Sequence, residues 1–178
     1  MARGIAPAGT RRVLTLARVL IVGCGCRGRA LAGELGRAGH AVRGTTRDPA
    51  RLAGIEASGA QGVVADPDRL GTIMGQLAGV SLVCWLMADV DAAAAPGLHG
   101  PRLQTLLERL VDTPVRGLVY EGAGSVTSEL LVAGAAAVRQ AAHTWRMPAA
   151  ITATDPGDHG AWLAEMRAAV AELLSDGR

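Results

Sequence analysis

The sequence predicts an α/β fold: a single doubly wound parallel sheet of about six strands flanked by helices, with no separate substrate domain. Three observations carry this. Short apolar runs alternate with stretches of helical period from Arg18 to the end of the chain. Breakers fall between them, at Gly39, Asp48-Pro49, Asp66-Pro67 and Asp155-Pro156. Finally, 178 residues with 49% apolar and 19% charged side chains suffice for one substantial core.

The elements follow in order. Residues 19–22 (Val-Leu-Ile-Val) form a buried strand that runs straight into Gly23-Cys24-Gly25-Cys26-Arg27-Gly28. A helix over residues 27–38 comes next, because Leu31, Leu35 and Ala38 recur on one face, and Gly39 is placed to cap it. A second strand spans residues 40–46; Asp48 then caps a helix with Pro49 in its first turn. Residues 62–65 give a third strand, followed by the same device at Asp66-Pro67. The fourth strand, residues 80–87, is nearly unbroken in its apolarity, as expected of a strand covered on both faces. A looser, alanine-rich stretch over 88–100 leads to a helix over 101–111, striped by Leu103, Leu106, Leu107 and Leu110. Residues 115–120 give a fifth strand, 125–145 a long helix and 148–154 a sixth strand; Asp155-Pro156 opens a final helix ending near residue 174. Residues 1–17, with Arg3, Arg11 and Arg12 among small residues, read as a flexible basic tail, leaving 18–178 to the domain.

Composition removes several function classes. All 18 basic residues are arginine, so a Schiff base, a lysine general base and a P-loop lysine are absent from the chain. A net charge of +2 with 2% aromatic residues gives no platform on which bases would stack, so no nucleic-acid partner is expected. No apolar run reaches the length of a membrane span, and three cysteines without a disulfide framework fit a reduced, cytoplasmic setting.

The stretch over residues 19–28 carries the strongest chemical signal. Strand, G-x-G-x-x-G and helix in that order build a dinucleotide pyrophosphate site, the Rossmann arrangement. Gly23 permits a tight turn, Gly25 lets the backbone approach phosphates, and Gly28 brings helix and strand close. The helix N-terminus, with Cys26 and Arg27 in its loop, adds free N–H groups and the positive dipole end. At the tip of the second strand, where a carboxylate would hold the ribose 2′-hydroxyl of NAD, the chain has Thr45-Thr46-Arg47. Two hydroxyls and a guanidinium suit a 2′-phosphate, so NADP is expected rather than NAD, with Arg27 flanking the same phosphate. Arg47 alternatively pairs with Asp48 or Asp66; Asp66 either meets the adenine amino group or caps its helix.

With these motifs in place, residues 18–126 resemble the short-chain dehydrogenase/reductase superfamily, and most of all its atypical, epimerase/dehydratase-like branch. The resemblance rests on residues 23–49, from the glycine loop through Gly44-Thr45-Thr46-Arg47-Asp48-Pro49, and on Gly117-Leu118-Val119-Tyr120-Glu121-Gly122. It implies a nicotinamide cofactor and oxidoreductase or epimerase chemistry on a sugar or small carbonyl compound. It also implies pairing through the long helix after the fifth strand, where Leu130, Leu131, Val132, Val138, Ala141 and Trp145 spread over more than one side, so a homodimer is expected.

The departures matter as much. The family's Tyr-x-x-x-Lys has no counterpart: residues 125–145 hold no tyrosine. Ser125 corresponds to the family's carbonyl-polarising serine, Tyr120 is a candidate proton donor and Glu121 the best-placed general base. Tyr120 reads more readily as a sheet residue with a satisfied hydroxyl, and without a neighbouring ammonium it is a weak acid. No metal site is read. Cys24 and Cys26 are too close for zinc pairing, and Asp155, Asp158 and His159 suit a helix N-terminus with His159 left over. The expectation is an NADP(H)-binding oxidoreductase or epimerase-like enzyme; the rival is a non-catalytic NADP-binding redox sensor or partner subunit.

Overall fold

The computed structural model describes residues 16–176, so the basic tail expected at the N-terminus lies, but for its last two positions, outside the described residues. Six strands form one sheet: β1 (Arg18–Val22), β2 (Ala41–Thr46), β3 (Gln61–Val64), β4 (Leu82–Trp85), β5 (Leu118–Glu121) and β6 (Ala149–Thr152). Their order is β3-β2-β1-β4-β5-β6, and every pairing is parallel. Strand order reverses between β1 and β4, so the crevice at their carboxyl ends is where such a sheet holds a ligand.

Helices α1 (Cys26–Arg37), α2 (Leu52–Glu56), α3 (Leu70–Met74), α4 (Ala95–Leu98), α5 (Pro101–Leu110), α6 (Ser128–Trp145) and α7 (His159–Asp176) cover both faces. Alternation along each strand decides which face. Leu20, Val22, Val83, Trp85, Leu118 and Tyr120 point to one core, with Ile73, Leu103, Leu106 and Val138 from α3, α5 and α6. Val19, Ile21, Leu82, Cys84 and Val119 point to the other, with Leu31 and Leu35 of α1 and Trp162 and Met166 of α7. The doubly wound architecture expected from the sequence is the one observed.

Boundaries differ where loops are held by tertiary bonds. The long helix begins at Ser128 rather than residue 125, because Val126 N–H donates to the Ala88 carbonyl (2.9 Å) and ties that segment to the loop after β4. The fourth strand is shorter than its apolar run: Leu86 and Met87 follow the strand yet stay buried, one in each core. At the last helix the cap is Asp158, whose Oδ1 accepts from Ala161 N–H (3.1 Å), while Asp155 closes the preceding turn onto Gly157 N–H (2.7 Å).

Candidate nucleotide-binding site

A cleft of about 330 Å³ opens over the carboxyl ends of β1, β2, β3 and β4. The glycine loop forms its floor, and each glycine is required for a separate reason. Gly23 leaves β1 with φ of +87°, and a Cβ there would meet the Leu86 carbonyl oxygen at 2.5 Å. At Gly28 a Cβ would lie 3.1 Å from the Gly23 carbonyl oxygen and 3.3 Å from the Ile21 side chain, so this glycine brings α1 against β1. Gly25 is different: a Cβ would meet nothing within 4 Å. Its missing side chain leaves open cleft above the first N–H groups of α1, which have no partners inside the helix. That is the fit expected of a phosphate cradle.

The tip of β2 divides its work. Thr45 is 1% exposed, and its hydroxyl accepts from Gly23 N–H (3.2 Å) while its carbonyl accepts from Cys24 N–H (2.9 Å). Thr45 therefore positions the glycine loop. The Thr46 hydroxyl accepts from Asp48 N–H (3.1 Å) at the cleft wall. Arg47 is exposed and lines the cleft, and among the described residues no ion pair engages it. Asp48 pairs instead with Arg51 (3.6 Å), whose side chain also lines the cleft. Arg51 escaped the sequence reading; its signal was its position on the turn that Asp48-Pro49 opens, one turn beyond Arg47. Ala65 and Pro67 line the cleft but Asp66 between them does not. The Asp66 carboxylate accepts from Asp68 N–H (3.0 Å), closing the turn ahead of α3 rather than capping that helix, which begins at Leu70.

Arg27 does not turn toward the β2 tip as expected. Its guanidinium spans the ends of β4 and β5, pairing with Asp89 through one nitrogen and with Glu121 Oε1 through the other (2.8 Å). The indole of Trp162 lies beneath it, 5.4 Å from guanidinium carbon to ring centroid, and donates from Nε1 to the same Glu121 oxygen (3.0 Å). Ala88 N–H donates to Glu121 Oε2 (3.2 Å). Glu121 is 1% exposed, and burial pushes its carboxyl above the usual range against the pull of Arg27. Asp89, which burial alone would raise, is held below the usual range by Ser125 and Arg27. Trp162 carried no sequence signal for this role, because its contact requires α7 to pack beside β5.

The residues expected to do proton chemistry are not gathered at the cleft. Tyr120 is 0% exposed and lies on the sheet face covered by α6. Its hydroxyl donates to His99 Nδ1 (2.6 Å), and His99 Nε2 donates to the Met87 carbonyl (2.9 Å). A carbonyl can only accept, so the imidazole carries its proton on Nε2. Burial pushes the Tyr120 hydroxyl well above its ordinary value, with Glu121 adding to the effect. The satisfied sheet residue is therefore the reading this placement supports, in place of the proton donor. Ser125 is exposed, and its backbone N–H donates to Asp89 Oδ1 (2.6 Å). Cys26 lines the cleft and accepts from Arg29 through Sγ (3.2 Å); burial pushes the Cys24 thiol up to about 11, away from thiolate chemistry. His159 stacks on Trp162, ring centroids 6.1 Å apart.

Sheet order, glycine loop and cleft together define a Rossmann-type α/β fold. Solved structures agree. The chain superimposes on a Bacillus halodurans protein classed as an NAD-dependent epimerase/dehydratase with a TM-score of 0.64 at 17% identity, covering 76% of this chain and 68% of that one. Against a short-chain dehydrogenase/reductase family oxidoreductase from Aeromonas hydrophila the TM-score is 0.60 at 19% identity, over 86% and 90% of the two chains. Against Citrobacter sp. triphenylmethane reductase complexed with NADP(H) it is 0.58 at 15% identity, over 75% and 48%. The chain thus spans about half the length of several structures it resembles, 48% of the Citrobacter reductase and 54% of a Thermotoga maritima UDP-glucose 4-epimerase. No family model matches the sequence, and no curated protein matches it either.

Proposed function

We propose that this chain is an NADP(H)-binding protein whose cleft over β1–β4 takes the cofactor's adenosine half. The observation that carries the reading is the division of labour among Gly23, Gly25 and Gly28, with open space at Gly25 alone. The preference for a 2′-phosphate is supported by Arg47 and Arg51 on the cleft wall at the β2 tip. Of the two expectations for activity, the binding module fits the geometry better than the carbonyl reductase or epimerase. The chain has no lysine, Tyr120 is spent on His99, and Glu121 is spent on Arg27 and Trp162. In this reading the protein is a redox sensor or partner subunit that responds to NADP(H). The exposed Val132 (66%) and Trp145 (38%) on α6 support pairing of two copies along that helix.

Calorimetric titration with NADPH and NADH in parallel, on wild type and Arg47→Ala, tests the ligand. NADPH binding that weakens in the variant supports the reading, and no binding of either nucleotide refutes it. Oxidation of NADPH with a panel of carbonyl compounds tests the choice between module and enzyme. Turnover that is lost in Glu121→Gln would restore the enzyme.

A further inference from the structure

A sheet of this order comprises two mononucleotide-binding halves, one on each side of the reversal between β1 and β4. Here the cleft covers the half built on β1, β2 and β3 and reaches into the other only at the loop after β4. Its walls come from the loops after β1, β2, β3 and β4, closed at one end by Leu98. Among the described residues, nothing from β5, β6 or the loops that follow them lines it. The reason is visible at the ends of β4 and β5, where the second mononucleotide would enter. Arg27 fills that ground, fixed at once by Asp89, Glu121 and the face of Trp162. Beyond it the loops after β4 and β5 are joined: Val126 N–H donates to the Ala88 carbonyl (2.9 Å), and Ser125 N–H donates to Asp89 Oδ1 (2.6 Å). Gly124 lies so close to Ala88 that a Cβ would come within 2.8 Å of its backbone carbon.

The first half of the cofactor therefore fits the residues present and the second does not. We propose that Arg27 is a clamp that shuts the nicotinamide half of the site, so that the ligand recognised is a 2′-phosphorylated adenosine diphosphate moiety and the nicotinamide end of NADP(H) stays in solvent. This rests on the nucleotide reading above and sharpens it. The clamp is a stable closure, because moving Arg27 away strands the Glu121 carboxylate, 1% exposed, with only neutral N–H donors from Trp162 and Ala88. Clamp and adenosine site also share a backbone, since Arg27 lies between Gly25 and Gly28 of the phosphate loop. A phosphate that reorganises the loop bears directly on the clamp.

The test compares fragments with the whole. Wild-type protein is titrated calorimetrically with NADPH, with 2′-phospho-ADP-ribose and with reduced nicotinamide mononucleotide, while the fluorescence of the reduced nicotinamide is followed. The clamp requires NADPH and 2′-phospho-ADP-ribose to bind within about fivefold of each other, the mononucleotide not to bind, and nicotinamide emission to remain that of the free cofactor. In the double variant Arg27→Met/Glu121→Gln, which removes the two partners of the ion pair together, NADPH is expected to gain about tenfold over 2′-phospho-ADP-ribose, with raised emission. If wild-type NADPH binds more than about fivefold tighter than 2′-phospho-ADP-ribose with raised emission, or if the folded double variant shows no gain, the clamp is overturned while the nucleotide site stands. If neither NADPH nor 2′-phospho-ADP-ribose binds, the nucleotide reading falls and the clamp with it. Should the double variant fail to fold, the wild-type ratio and emission decide alone.

Discussion

Gly23 and Gly25 are separated by one residue, yet alanine at each should produce opposite phenotypes. At Gly23 the side chain would be held at φ of +87°, which costs an L-residue about 1–2 kcal/mol. The new methyl would also overlap the Leu86 carbonyl at 2.5 Å, and forced overpacking of that kind costs about 1–3 kcal/mol. A chain of this size loses roughly 2–4 °C per kcal/mol, so Gly23→Ala should melt about 10 °C below wild type. At Gly25 the backbone has φ of −75° and ψ of −155°, which alanine tolerates. About 0.5–1 kcal/mol lost at the helix cap, where Gly outranks Ala, is offset by about 0.4–1 kcal/mol of reduced freedom in the unfolded chain. Its melting temperature should stay within about 2 °C of wild type. The methyl, however, would project where a phosphate must approach the N–H groups of α1, and each charge-assisted hydrogen bond lost there is worth about 1.5–3 kcal/mol. NADPH affinity should fall about 10- to 100-fold. Differential scanning fluorimetry reads the first quantity and calorimetry the second. A Gly25→Ala protein that melts like wild type and binds NADPH unchanged would refute the placement of the phosphates.

Further outcomes follow from the same geometry. Arg47→Ala should weaken NADPH about tenfold and NADH less than about twofold, by parallel titration; equal losses would remove the 2′-phosphate from the β2 tip. Tyr120→Phe leaves His99 Nδ1 without its donor in a buried site and should cost about 1–3 kcal/mol in denaturant unfolding, with NADPH affinity unchanged; an affinity change would bring Tyr120 back to the site. Gly134→Ala, whose methyl would approach Tyr120 Cζ to 2.8 Å, should lose roughly 2–3 kcal/mol in the same assay. Burial holds His99 below its ordinary 6.5, so the folded state takes up its proton later than the unfolded chain does. Its contribution to stability is complete above about pH 6.5 and is lost as pH falls toward the folded value. Glu121, pushed upward, works in the opposite sense, so the measurement is the difference between wild type and His99→Gln in melts from pH 7.5 to 5. Wild type should lose more on acidification, and a smaller loss would contradict the placement of His99.

What the sequence disclosed divides by the range of the interactions involved. The glycine loop was legible because most of its chemistry is local: strand, turn and helix lie within twenty residues, Gly23 takes a positive φ, Gly28 answers to Gly23 and Ile21, and Gly25 to an open space; only the Leu86 contact at Gly23 comes from afar. The apolar run over residues 80–87 likewise announced a strand buried on both faces, although the strand covers only four of its residues and Val80, Leu86 and Met87 join the cores from outside it. Tyr120 and Glu121 illustrate the limit. Adjacent strand residues point to opposite faces, so no common site could hold both side chains, but which faced the crevice depended on where β5 ends. Arg27 was legible as part of the loop and not as a clamp, because Asp89, Glu121 and Trp162 reach it only through the packing of β4, β5 and α7. Arg51 was missed for a milder reason: the turn carrying it is a single 3₁₀ turn before α2, too short to show periodicity.

Among the described residues, the first strand lies in the middle of the finished sheet. Its partner β2 follows closely in sequence, but its other edge is completed only when Val19 meets Leu82. Until then the backbone donors and acceptors of one of the most apolar segments face outward, with no charged side chain along Val19–Val22 to discourage a stray strand. The N-terminal half can assemble its phosphate loop early, yet it must wait for β4 to cover both that edge and the Gly23 turn. A destabilised β4 would therefore betray itself as aggregation of newly made protein before it showed as a lower melting temperature.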